Sequence, residues 1–292
     1  MSPVPGDPQS LIPLVAVIVA SGLYWAGWRR RLRPATGPDL RSRRLRAASF
    51  AAAMVVLLIA LVALDGPADR GFWPHMIQHV LLLTAAAPLL VLAEPWSLMW
   101  RPLPLGFRRA SAGWVARDSR ARPLRLVGRT LARPVPVLVV SIAVLWLWHL
   151  PAAYDLALRH QSIHDLEHLT MLASAVLFWE QVIDTAPIRP SLDAIQRTLY
   201  VSAATVAGWL LSAVLAYWPS ALYQPYVIAA HRPGGVSALA DQQIAAGIMW
   251  GPGSLAYSLA VFWLIYNWVG DDSRRPRRRR STLGVAFRQK GA

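Results

Sequence analysis

The sequence predicts an all-α polytopic membrane protein with seven transmembrane helices, its N-terminus outside and its C-terminus cytoplasmic. Three observations carry this. Of 292 residues, 55% are apolar and only 15% charged, against roughly 25% charged in ordinary soluble domains. Seven segments approach the run of about 20 mostly apolar residues that crosses a bilayer. The basic residues fall almost entirely on one side of the topology those segments define.

The first span, Leu11–Trp28, has nothing basic before it and Arg29 to Arg31 directly after it. That order reads as an uncleaved span with its N-terminus outside, not a secretory signal. The second, Ala47–Leu64, ends at Asp65, which marks its outer end. The third is His75–Leu92, with Pro88 inside it. The fourth, Pro134–Trp148, is short and is carried on to residue 150. The fifth is His164–Ile183 and the sixth Leu199–Trp218. The seventh, Gln243–Val269, holds Gly247, Gly251, Pro252 and Gly253, which are tolerated where neighbouring helices satisfy the freed backbone groups. Between the third and fourth spans, residues 93–133 are rich in Arg and Pro and include a weakly amphipathic piece, Phe107–Val115. This reads as an interfacial loop or short surface helix. Residues 1–270 form one transmembrane domain, and 271–292 a basic, disordered tail that fixes topology and touches anionic lipid.

A net charge of +15 on a soluble chain would be a nucleic-acid footprint. Here it is an orientation signal. Segments 29–46, 93–133, 184–198 and 270–292 hold 8, 9, 2 and 8 basic residues, 27 of the 30. The outer segments keep Arg70, Arg159 and Arg232 alone. That is the positive-inside pattern, and it requires an odd number of spans, since an even number would put Arg274–Arg280 outside. Trp25, Trp28, Trp73, Trp146, Trp148, Trp218 and Trp268 lie near span ends, as an aromatic belt would. With no cysteine in the chain, disulfides, thiolate metal sites and cysteine nucleophiles are excluded. No nucleic-acid partner is expected.

All seven histidines fall on the outer side of this topology. His75 and His79 open the third span, and His164 and His168 the fifth; each pair is spaced i, i+4 and shares a helix face. His149 ends the fourth span. Asp241 stands just before the seventh. Glu167 and His168 lie about one turn into apolar sequence, where an ionisable group is costly unless paired or functional. The functional reading is a metal site in the outer leaflet with His75, His79, His149, His164 and His168 as the ligand pool. Imidazole suits copper, zinc and iron, and a thioether favours Cu(I). Met76, Glu167, Met171 and Asp241 are the further candidate ligands or orienting partners. The bland readings are a helix–helix hydrogen bond for a single intramembrane His, solvation for the loop residues His160 and His231, and core filling for the methionines.

Other chemistries fit less of the sequence. A retinal protein needs a lysine within a span, and Lys290 in the tail is the only one. Membrane di-iron oxygenases use more clustered ligands, placed on the cytoplasmic side. His164-x-x-Glu167-His168 matches the H-x-x-E-H pattern of inverted zinc proteases, but leaves His75 and His79 unexplained. A b-type haem between two of the histidines is the main alternative. A copper or other metal transporter is another, although transporter sites lie nearer the midplane.

Four motifs occur in order: His75-Met76-x-x-His79 followed by Leu-rich sequence and Pro88; Trp148-His149-x-Pro151 with Tyr154; His164-x-x-Glu167-His168-Leu169-Thr170 through Phe178-Trp179; and Asp241-Gln242-Gln243-x-x-Ala-Gly247-x-Met249-Trp250. Over about residues 65 to 268 the chain resembles the multi-span (CtaG-type) assembly factors of caa3-type cytochrome c oxidase. It departs from them at Ala93-Glu94-Pro95, where the family leads one to expect glycine before the proline. It does not resemble the single-span, Cys-containing copper protein that shares the CtaG name. The resemblance implies a non-enzymatic protein of the bacterial cytoplasmic (inner) membrane that helps to metallate a haem–copper oxidase. Copper, as Cu(I) or Cu(II), would be the bound metal, with haem as the alternative cofactor. The implied partners are oxidase subunits and a periplasmic or extracellular copper carrier. Transfer would require an open coordination position at shallow depth.

Overall fold

The structure, a computed structural model, describes residues 11–30, 37–185, 191–229 and 233–274. Every regular element among them is helical, as expected of a chain whose backbone must satisfy itself in hydrocarbon. Helix α1 is Ile12–Arg29. Helix α2 (Gly37–Leu58) runs through a π turn, Ile59–Ala63, to the short α3 (Asp65–Ala68). Helix α4 (Phe72–Leu81) continues through a second π turn, Leu82–Ala86, into α5 (Ala87–Ala93). Three short helices follow, α6 (Pro95–Trp100), α7 (Leu105–Arg117) and α8 (Arg122–Leu131), then α9 (Pro134–Trp148), α10 (Pro151–Arg159) and α11 (Gln161–Glu180). The chain closes with α12 (Ala194–Tyr217), α13 (Gln224–Ile228) and α14 (Ala238–Arg274).

Among the described residues, five helical stretches are long and apolar enough to cross a membrane: 12–29, 40–63, 72–93, 194–217 and 238–270. A sixth is added if Ser119–Leu131 and Pro134–Trp148, bent by 93°, count as one. Two of the seven expected spans thus fall short by themselves. Helix α9 has only 15 residues. Helix α11 has 20, but three of them are the acids Asp165, Glu167 and Glu180. Large apolar side chains line the outside of the long helices, among them Phe262, Leu259 and Leu255 on α14 and Leu199 on α12. That is the inverse of a water-soluble surface, and the protein is a multi-pass membrane protein.

Several boundaries differ from the sequence reading. The third span begins at Phe72, because Gly71 is extended and starts the helix three residues before His75. The fourth does not run to 150. It ends at Trp148, and Leu150 is held extended before Pro151, which opens α10. Residues 93–133 form α6, α7 and α8, three helices where one surface helix or loop was expected. Helix α8 leaves Leu124, Leu126 and Val127 exposed. The tail beyond Arg274, residues 1–10 and His231 lie outside the described residues.

The two π turns explain two long-range hydrogen bonds. A π turn withdraws a carbonyl from the regular ladder, and within a span another donor must meet it. Gln78 Nε2 donates to Ala60 O at 2.7 Å, and Trp179 Nε1 donates to Leu83 O at 2.9 Å. These bonds tie α4 to α2 and α11 to the second π turn. At the arginine-rich end, Arg46 pairs with Glu94 at 2.9 Å, Arg30 Nη1 donates to Pro102 O, and Trp96 Nε1 donates to Glu180. Helix α1 meets α6 at Gly27, where a Cβ would stand 2.0 Å from Leu98 O. At the histidine end the core is Phe72, Met76, Tyr154, Leu211, Leu215, Tyr223 and Tyr226.

Candidate metal centre

Helix α4 lacks a capping side chain of its own. Asp241 of α14 supplies one from 168 residues away. Its two carboxylate oxygens accept from Phe72 N and Trp73 N, each at 2.9 Å. A carboxylate on those orphan amides satisfies them and favours the helix dipole. It also fixes the start of the helix that carries His75, Met76, Gln78 and His79, all buried. Helix α11 brings His164, Glu167, His168 and Met171, likewise buried. His149 is the C-cap of α9.

These side chains meet. The His75 and His79 rings are 4.5 Å apart between centroids. His164 lies 5.0 Å and His168 5.6 Å from His75. His168 lies 5.4 Å and His149 5.8 Å from His79. All five rings are at least 94% buried. Glu167 sits among them, fully buried, with Oε1 3.5 Å from His79 Nε2 and Oε2 3.8 Å from His75 Nε2.

The hydrogen bonds around the rim assign the tautomers. Tyr226 Oη gives its one proton to Ala68 O at 2.8 Å. It therefore accepts from His75 Nδ1, 3.1 Å away, which makes Nδ1 the N–H and leaves the Nε2 lone pair facing inward. The Nδ1 of His149 lies 2.7 Å from Leu145 O. A carbonyl only accepts, so His149 also presents a bare Nε2. That nitrogen stands 3.4 Å from Met76 Sδ, bringing two lone-pair donors together with no proton between them. A carbonyl or phenol on one ring nitrogen is the usual way a ligating imidazole is oriented.

The cluster leaves several polar atoms unpaired. Both oxygens of Glu167, Nε2 of His164, Nε2 of His168 and Nδ1 of His79 have no hydrogen-bond partner. A buried carboxylate without a partner is costly; a cation removes the cost. Two triads have ligand atoms all within 4.8 Å of one another: His75, His79 and His168, and His75, His164 and Glu167. Tetrahedral coordination at about 2.0–2.1 Å from nitrogen separates ligand atoms by about 3.3 Å, so either triad closes on an ion with relative movements of up to about 1.5 Å.

The remaining candidates sit elsewhere. Asp241 holds the α4 N-terminus, so it acts on the imidazoles through the helix. Met171 is buried in α11, one turn beyond His168, and no described contact joins it to a ring. Asp165 accepts from Gln161 Nε2. His160 is exposed between α10 and α11. Just outside the cluster, burial pushes the Asp65 carboxyl up to about 6, helped by the negative charges of Asp69 and Asp165. Burial also raises Asp69. Sequence reasoning missed two oriented partners. Tyr226 lies in the short α13 between α12 and α14, with no local signal pointing to His75. Gln78 occupies the x position before His79, and its partner Ala60 becomes available only because α2 makes a π turn.

A model of the cytochrome c oxidase caa3 assembly factor family matches residues 22–271. Two curated proteins, each described as uncharacterised, from Mycobacterium bovis and Mycobacterium tuberculosis, are 24% identical to the chain over 223 residues, or 74% of its length. The chain spans about a third of the length of these relatives, 33% of each. No solved structure matches. With the family model covering most of the chain and the histidine motifs gathered into one buried cluster, the protein belongs to the cytochrome c oxidase caa3 assembly factor family.

Proposed function

We propose that this protein binds copper at the histidine cluster and helps to metallate a haem–copper oxidase, acting as a metallochaperone and not an enzyme. The observation that carries the proposal is the gathering of five buried imidazoles into one cluster with a buried carboxylate that has no hydrogen-bond donor. Copper is favoured over zinc by Met76 Sδ beside the bare Nε2 of His149, since a thioether is a soft donor. In this reading α9 and α11 also cross the membrane, giving seven spans. The histidine end faces the outside of the bacterial inner membrane, and the arginine-rich end lies against anionic lipid on the cytoplasmic side. The copper donor is then an extracytoplasmic carrier, and the acceptor is an oxidase subunit.

The haem alternative is weakened by packing. A haem with two axial histidines needs a flat slot between the rings, whereas here neighbouring rings pack 4.3–5.8 Å apart between centroids. Transport is weakened by depth, because His75 and His79 are within two turns of the α4 start rather than at the midplane.

Deleting the gene tests the role. Oxidase subunits are expected to be made and inserted but to be copper-poor and inactive, with rescue by the wild-type gene and none by His79→Ala. Normal oxidase copper and activity in the deletion strain would overturn the proposal.

A further inference from the structure

His75 belongs to both triads. Its Nδ1 is committed to Tyr226, so Nε2 is its single free donor. That atom lies 2.9 Å from His79 Nε2 and 3.8 Å from Glu167 Oε2. One lone pair cannot serve two ions. Resting on the copper-binding reading above, we infer that the cluster offers two mutually exclusive positions for one ion, with His75 as the shared ligand: an entry position of His75, His164 and Glu167, and an inner position of His75, His79 and His168.

The order follows from chain direction. Both α4 and α11 enter the cluster from the histidine end. His79 and His168 each lie four residues beyond His75 and His164, which is about 6 Å deeper along the axis. The donors change with depth. The entry position has a carboxylate oxygen, a harder ligand that also contributes negative charge. The inner position has three imidazoles. The inner position also adjoins the next donors, since the His79 ring is 5.8 Å from that of His149, whose Nε2 meets Met76 Sδ. An apolar cavity lined by His79, Leu83, Leu145, His149, Gly208 and Met249 opens beside this inner side. The ion therefore passes from oxygen-containing to nitrogen-only ligation while His75 keeps hold of it. Such a handover never releases a bare cation into a medium where an unpaired charge is prohibitive.

The test loads the purified full-length protein in detergent with Cu(I) against a chromophoric chelator and records X-ray absorption. The wild type is expected to bind one ion with a nitrogen-rich shell. His79→Asn should still bind one ion, about 10-fold or more weakly, with oxygen now in the shell. Glu167→Gln should bind one ion with no carboxylate oxygen. His75→Asn should lose both positions. Two ions bound at once by the wild type, or tight binding retained by His75→Asn, would overturn the sharing. Complete loss in both His79→Asn and Glu167→Gln, with both variants folded by thermal melt, would mean a single fused site and overturn the two positions while leaving copper binding intact. No binding by the wild type would sink the copper reading itself. Two ions in the wild type would overturn the sharing even if a variant fails to fold.

Discussion

Helices α4 and α14 run through the same membrane, yet they use burial in opposite ways. Helix α4 buries His75, Gln78 and His79 completely or nearly so, and its apolar neighbours serve to enclose them. Helix α14 exposes Leu255, Leu259, Phe262 and Trp263. Its most consequential polar residue, Asp241, lies at its start and serves α4. Polarity inside this protein is concentrated where enclosure is complete, and the apolar outer helices act as supports. The arginine-rich end makes the same point from the other side. Its ion pair, Arg46–Glu94, has a partly exposed arginine, and pairs of that kind contribute little.

The largest effect on stability is expected from Gln78→Leu. It leaves the Ala60 carbonyl of the π turn without a donor inside the bilayer, at a cost of about 1–3 kcal/mol. The matched control is Leu259→Ala on the lipid face, expected to change stability by about 0.5 kcal/mol or less. Thermal melts in detergent compare the two directly, and equal losses would dissolve the distinction between the helices. Next is Asp241→Ala. It uncaps α4 at about 1–2 kcal/mol and, by freeing the start of that helix, weakens metal binding at rings it never touches. A stability loss with unchanged affinity would reduce Asp241 to a structural cap.

A smaller effect concerns pH. Asp65 is held at about 6 against an ordinary 3.8, so the folded protein binds this proton more tightly than the unfolded chain. The stabilisation that follows is complete below pH 3.8 and is lost as pH rises through about 6. Asp65→Asn should flatten the melting temperature across that window, and an unchanged profile would contradict the burial of this carboxyl.

Much of this was legible in the sequence because it rests on local periodicity. The i, i+4 histidines had to share faces, and His149 had to end its helix near Pro151. The expected glycine before Pro95 is also explained. Glu94 adopts φ 47°, the left-handed region, where glycine carries no steric penalty. Here Glu94 holds that conformation beside Arg46. What could not be read depends on contacts far apart in the chain. Tyr226 reaches His75 across 151 residues, and Asp241 reaches Phe72 across 169. Asp241 was expected beside the rings because it lies at the right end of its helix. Its carboxylate points instead at the α4 amides, a direction that periodicity does not encode. The π turns were hidden too, since nothing in Ile59–Ala63 distinguishes a π turn from an α turn.

In the proposed function the histidine cluster holds copper. The most direct measurement is the metal content and absorption spectrum of the full-length protein purified from copper-replete cells, beside His79→Ala and His168→Ala. The expected result is close to one copper per chain in the wild type, a loss of at least about 10-fold in affinity in both variants, and no Soret band. A strong Soret band with stoichiometric haem, or copper content indifferent to both substitutions, would contradict it.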